Sequence, residues 1–440
     1  VIEALAWATV LAVTVMFLVD GGLKGITDLP SALNAFSRLT ALVATDLLLI
    51  HMLLIARIPW IDKFYGHDRA TQAHKKLGKP VLYFVIAHFM ASVVSFSISA
   101  QINPIAELVN LFINVPDMWT AIIGAFLMIA VVVTSLTFAR RRMSYEAWYI
   151  VHVMSYIAVL AAVPHQFSSG SDIHGKPVQT IFWVSLYLFV VFNLAWYRVL
   201  APMIRGWKLG LRVSAVRPES SDSVSIYLEG KNVAKLGGQA GQFYMLRVMT
   251  ATAWWRPHPF SISAAPNDRF VRFTIGKRGD DTQALQELKP GTKVLLEGPY
   301  GVFTEDRRTK QKVVLIASGI GIPPIRALAE ALTAKPGDVT VIYRVRNAAD
   351  AALLGEVRDL CRQRGYKLEI MDGPRANHSS WMNADGTNRS DQERLAEIAP
   401  SLVDSDIYIC GPTGWTHSVE KTALRAGTPA GQIHAEEFAW

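Results

Sequence analysis

Four histidines, His74, His88, His152 and His165, stand in or beside long apolar stretches. His74 and His88 are 14 residues apart and His152 and His165 are 13 apart, so each pair brackets most of one membrane-length segment. An imidazole inside hydrocarbon is costly unless it faces a partner, and two bracketing pairs predict two metal centres stacked across a bilayer. At 1.5 Å per residue the members of a pair lie roughly 20 Å apart along a helix. Two iron centres with two histidines each fit this spacing: an inner haem on His74 and His152, and an outer haem on His88 and His165. Zinc fits less well, because neither cysteine nor carboxylate accompanies the histidines. A 14-residue step is about 3.9 turns and keeps His74 and His88 nearly on one face, but a step of about 3.6 turns swings His165 away from His152. Pro164 removes an intrahelical hydrogen bond just before His165, so a helix distortion is expected there. The plainer reading makes each histidine a loop-edge or snorkelling side chain. It suits His74, in a basic loop, better than His88, in LYFVIAHFMASVV. His51, in LLLIHMLLIA, is an equally apolar-flanked rival with no partner at a comparable spacing.

The elements that must position these histidines are membrane helices. Of 440 residues 51% are apolar, and the long uncharged runs lie within residues 1–200. Six segments, about 3–20, 39–57, 80–100, 119–139, 147–164 and 179–200, approach the roughly 20 residues that a bilayer crossing needs. The first lacks a basic leading region and a small-residue cleavage site, so it reads as a helix and not as a signal peptide. Arg57, Lys63, Arg69, Lys75, Lys76, Lys79, Arg140, Arg141, Arg142, Arg198, Arg205 and Lys208 flank one side, against Lys24, Arg38 and Lys176 on the other. The positive-inside rule therefore places both termini and the soluble half in the cytoplasm of a multi-pass plasma-membrane protein. The formal charge of +8 lies mostly in these flanking loops and in a phosphate-binding type of domain, which argues against nucleic acid as a partner. Cys361 and Cys410 are the only cysteines, so no disulfide framework is expected.

The second half reads as two domains. Short alternating strands (SVSIYLEG, GQFYMLRV, RFVRFTIGKR, TKVLLEGPYG), separated by Gly and Pro turns, predict a small antiparallel β-barrel over 206–308, after a membrane domain over 1–205. Inside it lies Arg256-Pro-His-Pro-Phe-Ser-Ile-Ser, and further on Lys277-Arg-Gly-Asp-Asp-Thr282 opens a helical pattern suited to a pyrophosphate. Over 309–440 the strand KVVLIA runs into Ser318-Gly-Ile-Gly-Ile-Pro-Pro324 and a helix, the strand–turn–helix of a Rossmann-like α/β domain, although not the full glycine fingerprint. Arg344 and Arg346 at the next strand end suit a 2′-phosphate, favouring NADPH with NADH as the alternative. DIYICGPTGW repeats the strand-to-glycine turn, and HAEEFAW closes the chain.

His258-Pro-Phe-Ser-Ile-Ser, Gly319-Ile-Gly-Ile-Pro-Pro and Cys410-Gly-Pro, in this order, resemble the ferredoxin–NADP reductase superfamily. Joined to six helices with histidine pairs, nearly the whole chain from about residue 40 resembles the NADPH oxidase and ferric reductase membrane family. The resemblance implies two haem b, FAD and NADPH as cofactors. It puts His258, Pro259, Phe260, Ser261, Ile262 and Ser263 at the flavin, with Ser261 near the reactive ring edge. Lys277, Gly279 and Thr282 fall at the FAD phosphates, and Gly319, Gly321 and Pro323 at the nicotinamide dinucleotide. Cys410, Gly411 and Pro412 fall by the nicotinamide, and Phe438 over the flavin ring. Ser261, Cys410 and Phe438 are thus the residues implied in the hydride step. Two departures stand out: His258 replaces the arginine of soluble reductases, and Ile322 replaces a usual threonine. The implied activity is electron transfer to an acceptor on the outer face. O₂ giving superoxide is favoured, because the outer loops are short and poor in charge, with Gln101, His174 and Arg38 as expected lining. A ferric chelate and a partner protein are the alternatives. No EF-hand loop is present, so direct Ca²⁺ control is not expected.

Overall fold

A computed structural model describes residues 2–250 and 253–438; the side chains of Ile2, Lys63, His67, Asp68, Thr137, Phe138, Tyr145, Glu146, Asp280, Asp281 and Phe438 lie outside the description. The chain divides into two compact units, residues 1–199 and 200–440.

The first unit is helical: α1 (Ile2–Val19), α2 (Leu29–Leu54), the short α3 (Pro59–Phe64), α4 (His67–Ala100), α5 (Pro104–Asn114), α6 (Met118–Ser135), the single turn α7 (Thr137–Arg140), α8 (Tyr145–Ser168) and α9 (Pro177–Ala195). Among the described residues five helices are long and apolar enough to cross a membrane, and Glu3–Val19 of α1 is a shorter apolar helix. Large apolar side chains such as Leu160, Ile181, Leu188 and Phe192 are more than 60% exposed, as expected where lipid replaces a protein core. Helix starts are chemically marked. Asp28 Oδ1 accepts from Ser31 N at 2.9 Å to open α2, and Ser144 Oγ accepts from Ala147 N at 3.2 Å to open α8. α2 packs along α4, and α6 along α8.

One expectation changes here. α4 starts at His67 and runs through Pro80, so His74 is a helical residue and not part of a basic loop. The run of Lys75, Lys76 and Lys79 does not end the helix, since long cationic side chains can keep their heads in water from a helix end. α8 likewise continues through Pro164 as one helix. The apolar loop between α4 and α6 also holds α5, capped by Asn103, which accepts from Ala106 N at 2.9 Å.

The second unit opens with α10 (Ala201–Leu209), which straddles the expected boundary at 205 and packs on a strand of the following sheet. Next come β1 (Arg212–Ser220), β2 (Ser223–Glu229), β3 (Phe243–Val248), β4 (His258–Ser261), β5 (Val271–Gly276), α11 (Asp280–Gln286) and β6 (Val294–Tyr300). In place of one continuous barrel they form two three-stranded antiparallel sheets, β1-β2-β5 and β4-β3-β6, joined by isolated bridges at Arg212–Lys293 and Ile262–Phe273. The strands are short, and register shifts interrupt the β1–β2 and β3–β6 pairings within each sheet.

The remainder comprises β7 (Lys312–Ser318), α12 (Ile322–Ala331), β8 (Val339–Arg344), α13 (Leu354–Arg364), β9 (Lys367–Met371), α14 (Asp391–Ile398), β10 (Ser405–Pro412), α15 (Thr413–Arg425) and β11 (Ile433–Phe438). The sheet is parallel throughout, in the order β11-β10-β7-β8-β9. Val313, Leu315 and Ala317 of β7 pack in the core that includes α12 and α13, and Val314 and Ile316 pack with Leu395, Trp415 and Val419 on the other face. Alternation along one strand thereby demands helices on both faces.

Candidate functional site

In the helical unit, His88 and His165 line one cavity of about 260 Å³ with a mostly apolar wall that includes Leu48, Phe89, Leu111, Met128 and Trp183. His88 Nδ1 lies 3.0 Å from Ser37 O and 2.9 Å from Ser37 Oγ. A carbonyl can only accept, so Nδ1 carries the proton and Nε2 is left as the ligand atom. Gly124 of α6 admits close approach of α8, since a Cβ there would sit 2.7 Å from Ala158 O. The α8 wall of the cavity is Ala158, Val159, Ala162, His165, Gln166 and Ser169. At 100° per residue this face centres near Ala162, with His165 and His152 on its opposite flanks, roughly 60–80° to either side. No break at Pro164 is therefore needed for both histidines to face neighbouring helices.

His74 and His152 stand with ring centroids 6.0 Å apart and planes at 74°. Two imidazoles on one iron, with metal–nitrogen bonds of about 2 Å, have centroids roughly 6 Å apart, so the pair has the span of a shared metal. His74 Nδ1 is 3.0 Å from His51 O, again leaving Nε2 for a ligand. His51 itself stacks on His74 at 3.6 Å, while Trp148 stacks on His152 at 4.9 Å. The His74–His152 pair therefore has a span that fits haem iron, and His88 and His165 line one cavity. The sequence picked out the four histidines but not Ser37, whose only signal is a small polar residue in an apolar helix.

Of the expected outer lining, only Arg38 reaches the cavity. Its Nε donates to Asp172 Oδ2 at 2.7 Å, and Asp172 also lines the wall. Gln101 instead ends α4 in the left-handed region, and His174 Nδ1 bonds Phe167 O at 2.8 Å.

In the second unit, His258 to Ser261 form β4, antiparallel to β3, and His258 stacks on Phe260 at 6.2 Å. Pro259 faces outward, whereas Phe260, Ser261, Ile262 and Ser263 are buried. Ser261 Oγ donates to Glu436 Oε1 at 2.9 Å, and Glu436 pairs in register with Cys410. Ser261, Cys410 and Glu436 are thus brought together from residues far apart in sequence. The tail HAEEFAW held the signal for Glu436, but nothing there distinguishes it from Glu437. Burial, and secondarily the Glu436 carboxylate, push the Cys410 thiol well above its usual range, so it stays S–H and is no thiolate nucleophile. Phe438 ends β11 opposite Pro412; its side chain lies outside the described residues.

Thr282 Oγ1 accepts from Arg278 N at 2.8 Å and donates to Gly279 O at 3.0 Å, closing the turn at the start of α11. Lys277 is exposed beside it, its backbone N donating to Asp222 O at 2.7 Å. This turn leads from Gly276 and Arg278 into a cavity of about 810 Å³ that also takes in Ser318, Gly319, Gly321, Arg344, Arg346 and Pro412. The volume suits a dinucleotide. The cavity lies where the strand order reverses, between β7 and β10, which is where open parallel sheets bind ligands. Gly321 cannot carry a side chain, because a Cβ would meet Cys410 O at 2.2 Å; at Gly411 one would meet the Trp415 ring at 2.7 Å. Pro323 is buried in the first turn of α12 with Ile322, which fills its site with apolar volume where a threonine would offer a hydroxyl.

One expectation is corrected. Arg344 is buried, its guanidinium donating to the carbonyls of Val345, Met371 (3.1 Å) and Gly373 (2.7 Å). It braces the loop after β9 and is not available to a phosphate. Arg346 and Arg375, both exposed at the same cavity, have that role open to them.

The two lobes of this unit are tied by charge. Arg272 of β5 donates from Nε to Ser263 Oγ (3.0 Å) and from Nη2 to Ser263 O (2.6 Å), and its Nη1 and Nη2 reach Glu356 of α13 at 2.7 and 2.9 Å. Arg326 of α12 joins Glu356 at 3.0 Å.

Comparison with known proteins identifies three domains. Residues 40–163 match the family described as ferric reductase like transmembrane component, 210–304 an FAD-binding domain, and 315–421 an oxidoreductase NAD-binding domain. The protein is a multi-pass membrane flavin- and NAD(P)H-binding oxidoreductase with an electron-transfer module. More particularly, the three parts in this order are the architecture of the NADPH oxidase and ferric reductase family. A flavohemoprotein of Vibrio cholerae is 27% identical over 61% of this chain and 70% of its own length. One from Chromobacterium violaceum is 28% identical over 53% of this chain and 61% of its own. An NADPH oxidoreductase of Mycobacterium tuberculosis is 25% identical over 54% and 62%. Among solved structures, the FAD/NAD binding domain of the Vibrio cholerae nitric oxide dioxygenase is 25% identical, with a TM-score of 0.44 over 52% of this chain and 98% of that one.

Proposed function

We propose that this chain moves electrons from cytoplasmic NADPH across the plasma membrane to an acceptor on the outer face, with FAD and two haem b as its cofactors. The observation that carries the reading is the double histidine geometry: His88 and His165 on one cavity, and His74 and His152 6.0 Å apart, in a chain that also carries flavin and nicotinamide domains. When bound, flavin converts a hydride pair to single electrons and haem passes them singly. The chain's residues hold and orient. Ser37 and the His51 carbonyl fix the tautomers of His88 and His74. Ser261, Glu436 and the neutral Cys410 line the flavin–nicotinamide side. Gly319, Gly321 and Arg346 receive the dinucleotide. The basic flanks of the helices support a cytoplasmic second unit.

O₂, yielding superoxide, is the acceptor the outer cavity favours. Arg38 is its one cationic group, already paired with Asp172, and the rest of the wall is largely apolar. A ferric chelate, or an acceptor protein, would need a more open and charged mouth. Purified protein should give a low-spin bis-histidine spectrum with about two haems per chain. His88→Ala should lower this to one while NADPH-to-dye reduction persists; retention of both haems refutes the assignment. Superoxide-dismutase-sensitive cytochrome c reduction, against reduction of ferric citrate, decides the acceptor.

A further inference from the structure

We propose that His417, Glu420 and Glu437 form a divalent-cation site of the Zn²⁺ class that restrains the carboxy-terminal strand. Among the described residues they are the one group of three such side chains whose ligand atoms all lie within 4.8 Å of one another. His417 and Glu420 are three apart on α15 and so share its face, and Glu437 faces them from β11. Ligands on a tetrahedral zinc at 2.0–2.1 Å are roughly 3.3 Å apart. His417 Nδ1 lies 2.9 Å from Glu437 Oε1 and 3.5 Å from Glu420 Oε2, bracketing that value. The arrangement is near ligation geometry before any ion arrives.

His417 pairs with Glu437 from β11 and with Glu420 three residues on along α15, so one imidazole nitrogen stands between two carboxylates. Two like charges this close to each other are relieved by a dication more fully than by one imidazolium. One imidazole and two carboxylates suit Zn²⁺ or a neighbouring first-row ion, and the solvent-facing side leaves a fourth position for water. Glu437 sits between Glu436, which bonds Ser261, and Phe438. Ligation would therefore tie α15 to β11 beside the flavin-side residues. The binding claim stands apart from the proposed function; only its consequence for hydride transfer rests on that reading.

The test is Zn²⁺ titration of the full-length haem- and flavin-loaded protein in detergent, read by competition with a chromophoric chelator and by hydrogen exchange over residues 433–438. Wild type should bind one equivalent that His417→Ala weakens roughly 100-fold or more, and Glu437→Gln should weaken it as well. Exchange in β11 should slow with Zn²⁺ in wild type only. Equal affinity and stoichiometry in all three proteins overturns the site. Binding without slower exchange overturns the restraint. Unchanged flavin absorption in the variants shows that they fold.

Discussion

Replacing Glu356 by glutamine probes the charged tie between the two lobes. The Arg272 side chain is only 4% exposed, and its guanidinium is divided between Ser263 and Glu356. Removing one partner of a buried ion pair costs about 3–5 kcal/mol. The Glu356 side chain is 37% exposed, so solvent screening reduces this to about 1.5–3 kcal/mol. Arg272 and Arg326 are also left facing one another across a neutral amide, which keeps the loss toward the upper end. In a unit of residues 200–440, each kcal/mol is about 2–4 °C of melting temperature, so a fall of about 3–12 °C is expected. Because Arg272 also holds the Ser263 backbone at the end of the flavin segment, flavin should be released earlier in the melt. Flavin fluorescence during heating measures both. Burial raises the Glu356 carboxyl, but Arg272 and Arg326 overcome it and leave it below its usual 4.5. Its stabilisation is thus complete above about 4.5 and is lost as pH falls through the lowered folded value; Glu356→Gln should flatten that acid limb. A variant that melts within 1 °C of wild type and keeps the same acid limb refutes the tie.

Other outcomes follow from single contacts. Arg346→Ala should raise KM for NADPH roughly 10-fold or more and leave NADH nearly unchanged, since a charge-assisted phosphate contact is lost. Arg344→Ala should instead lower the melting temperature without changing the NADPH-to-NADH ratio, because its donors serve carbonyls. The opposite pattern in steady-state kinetics would reverse the two assignments. Gly321→Ala forces a Cβ to within 2.2 Å of Cys410 O, so at least about 1–3 kcal/mol of overpacking is expected. That should appear as weaker NADPH binding by titration together with a lower melting temperature.

Local chemistry, which depends on neighbours in sequence, was legible at once. The apolar runs of α2, α4, α6, α8 and α9 specify membrane helices because the bilayer demands a continuous uncharged length. The 14- and 13-residue histidine steps carry through to the helices unchanged, and the β7 turn is marked by Gly319, which takes a positive φ, and Gly321, where a Cβ would meet Cys410 O. Helix starts were harder. His74 looked like a loop residue because Lys75, Lys76 and Lys79 hide a helix that continues out of the apolar region.

What tertiary structure decided was which side chains meet. Arg344 ends β8 with its guanidinium against three carbonyls, whereas Arg346 lies past the strand end and is exposed; strand alternation would put residues two apart on one face, so only the turn after β8 separates them. Ser261 and Glu436 are 175 positions apart and Arg272 and Glu356 are 84 apart, separations at which no periodicity carries information. The rotation of α8 placed His152 and His165 on opposite flanks of one face. In the sequence that rotation is only a spacing that seemed to need a broken helix; helix packing supplies the neighbours that make an unbroken one sufficient.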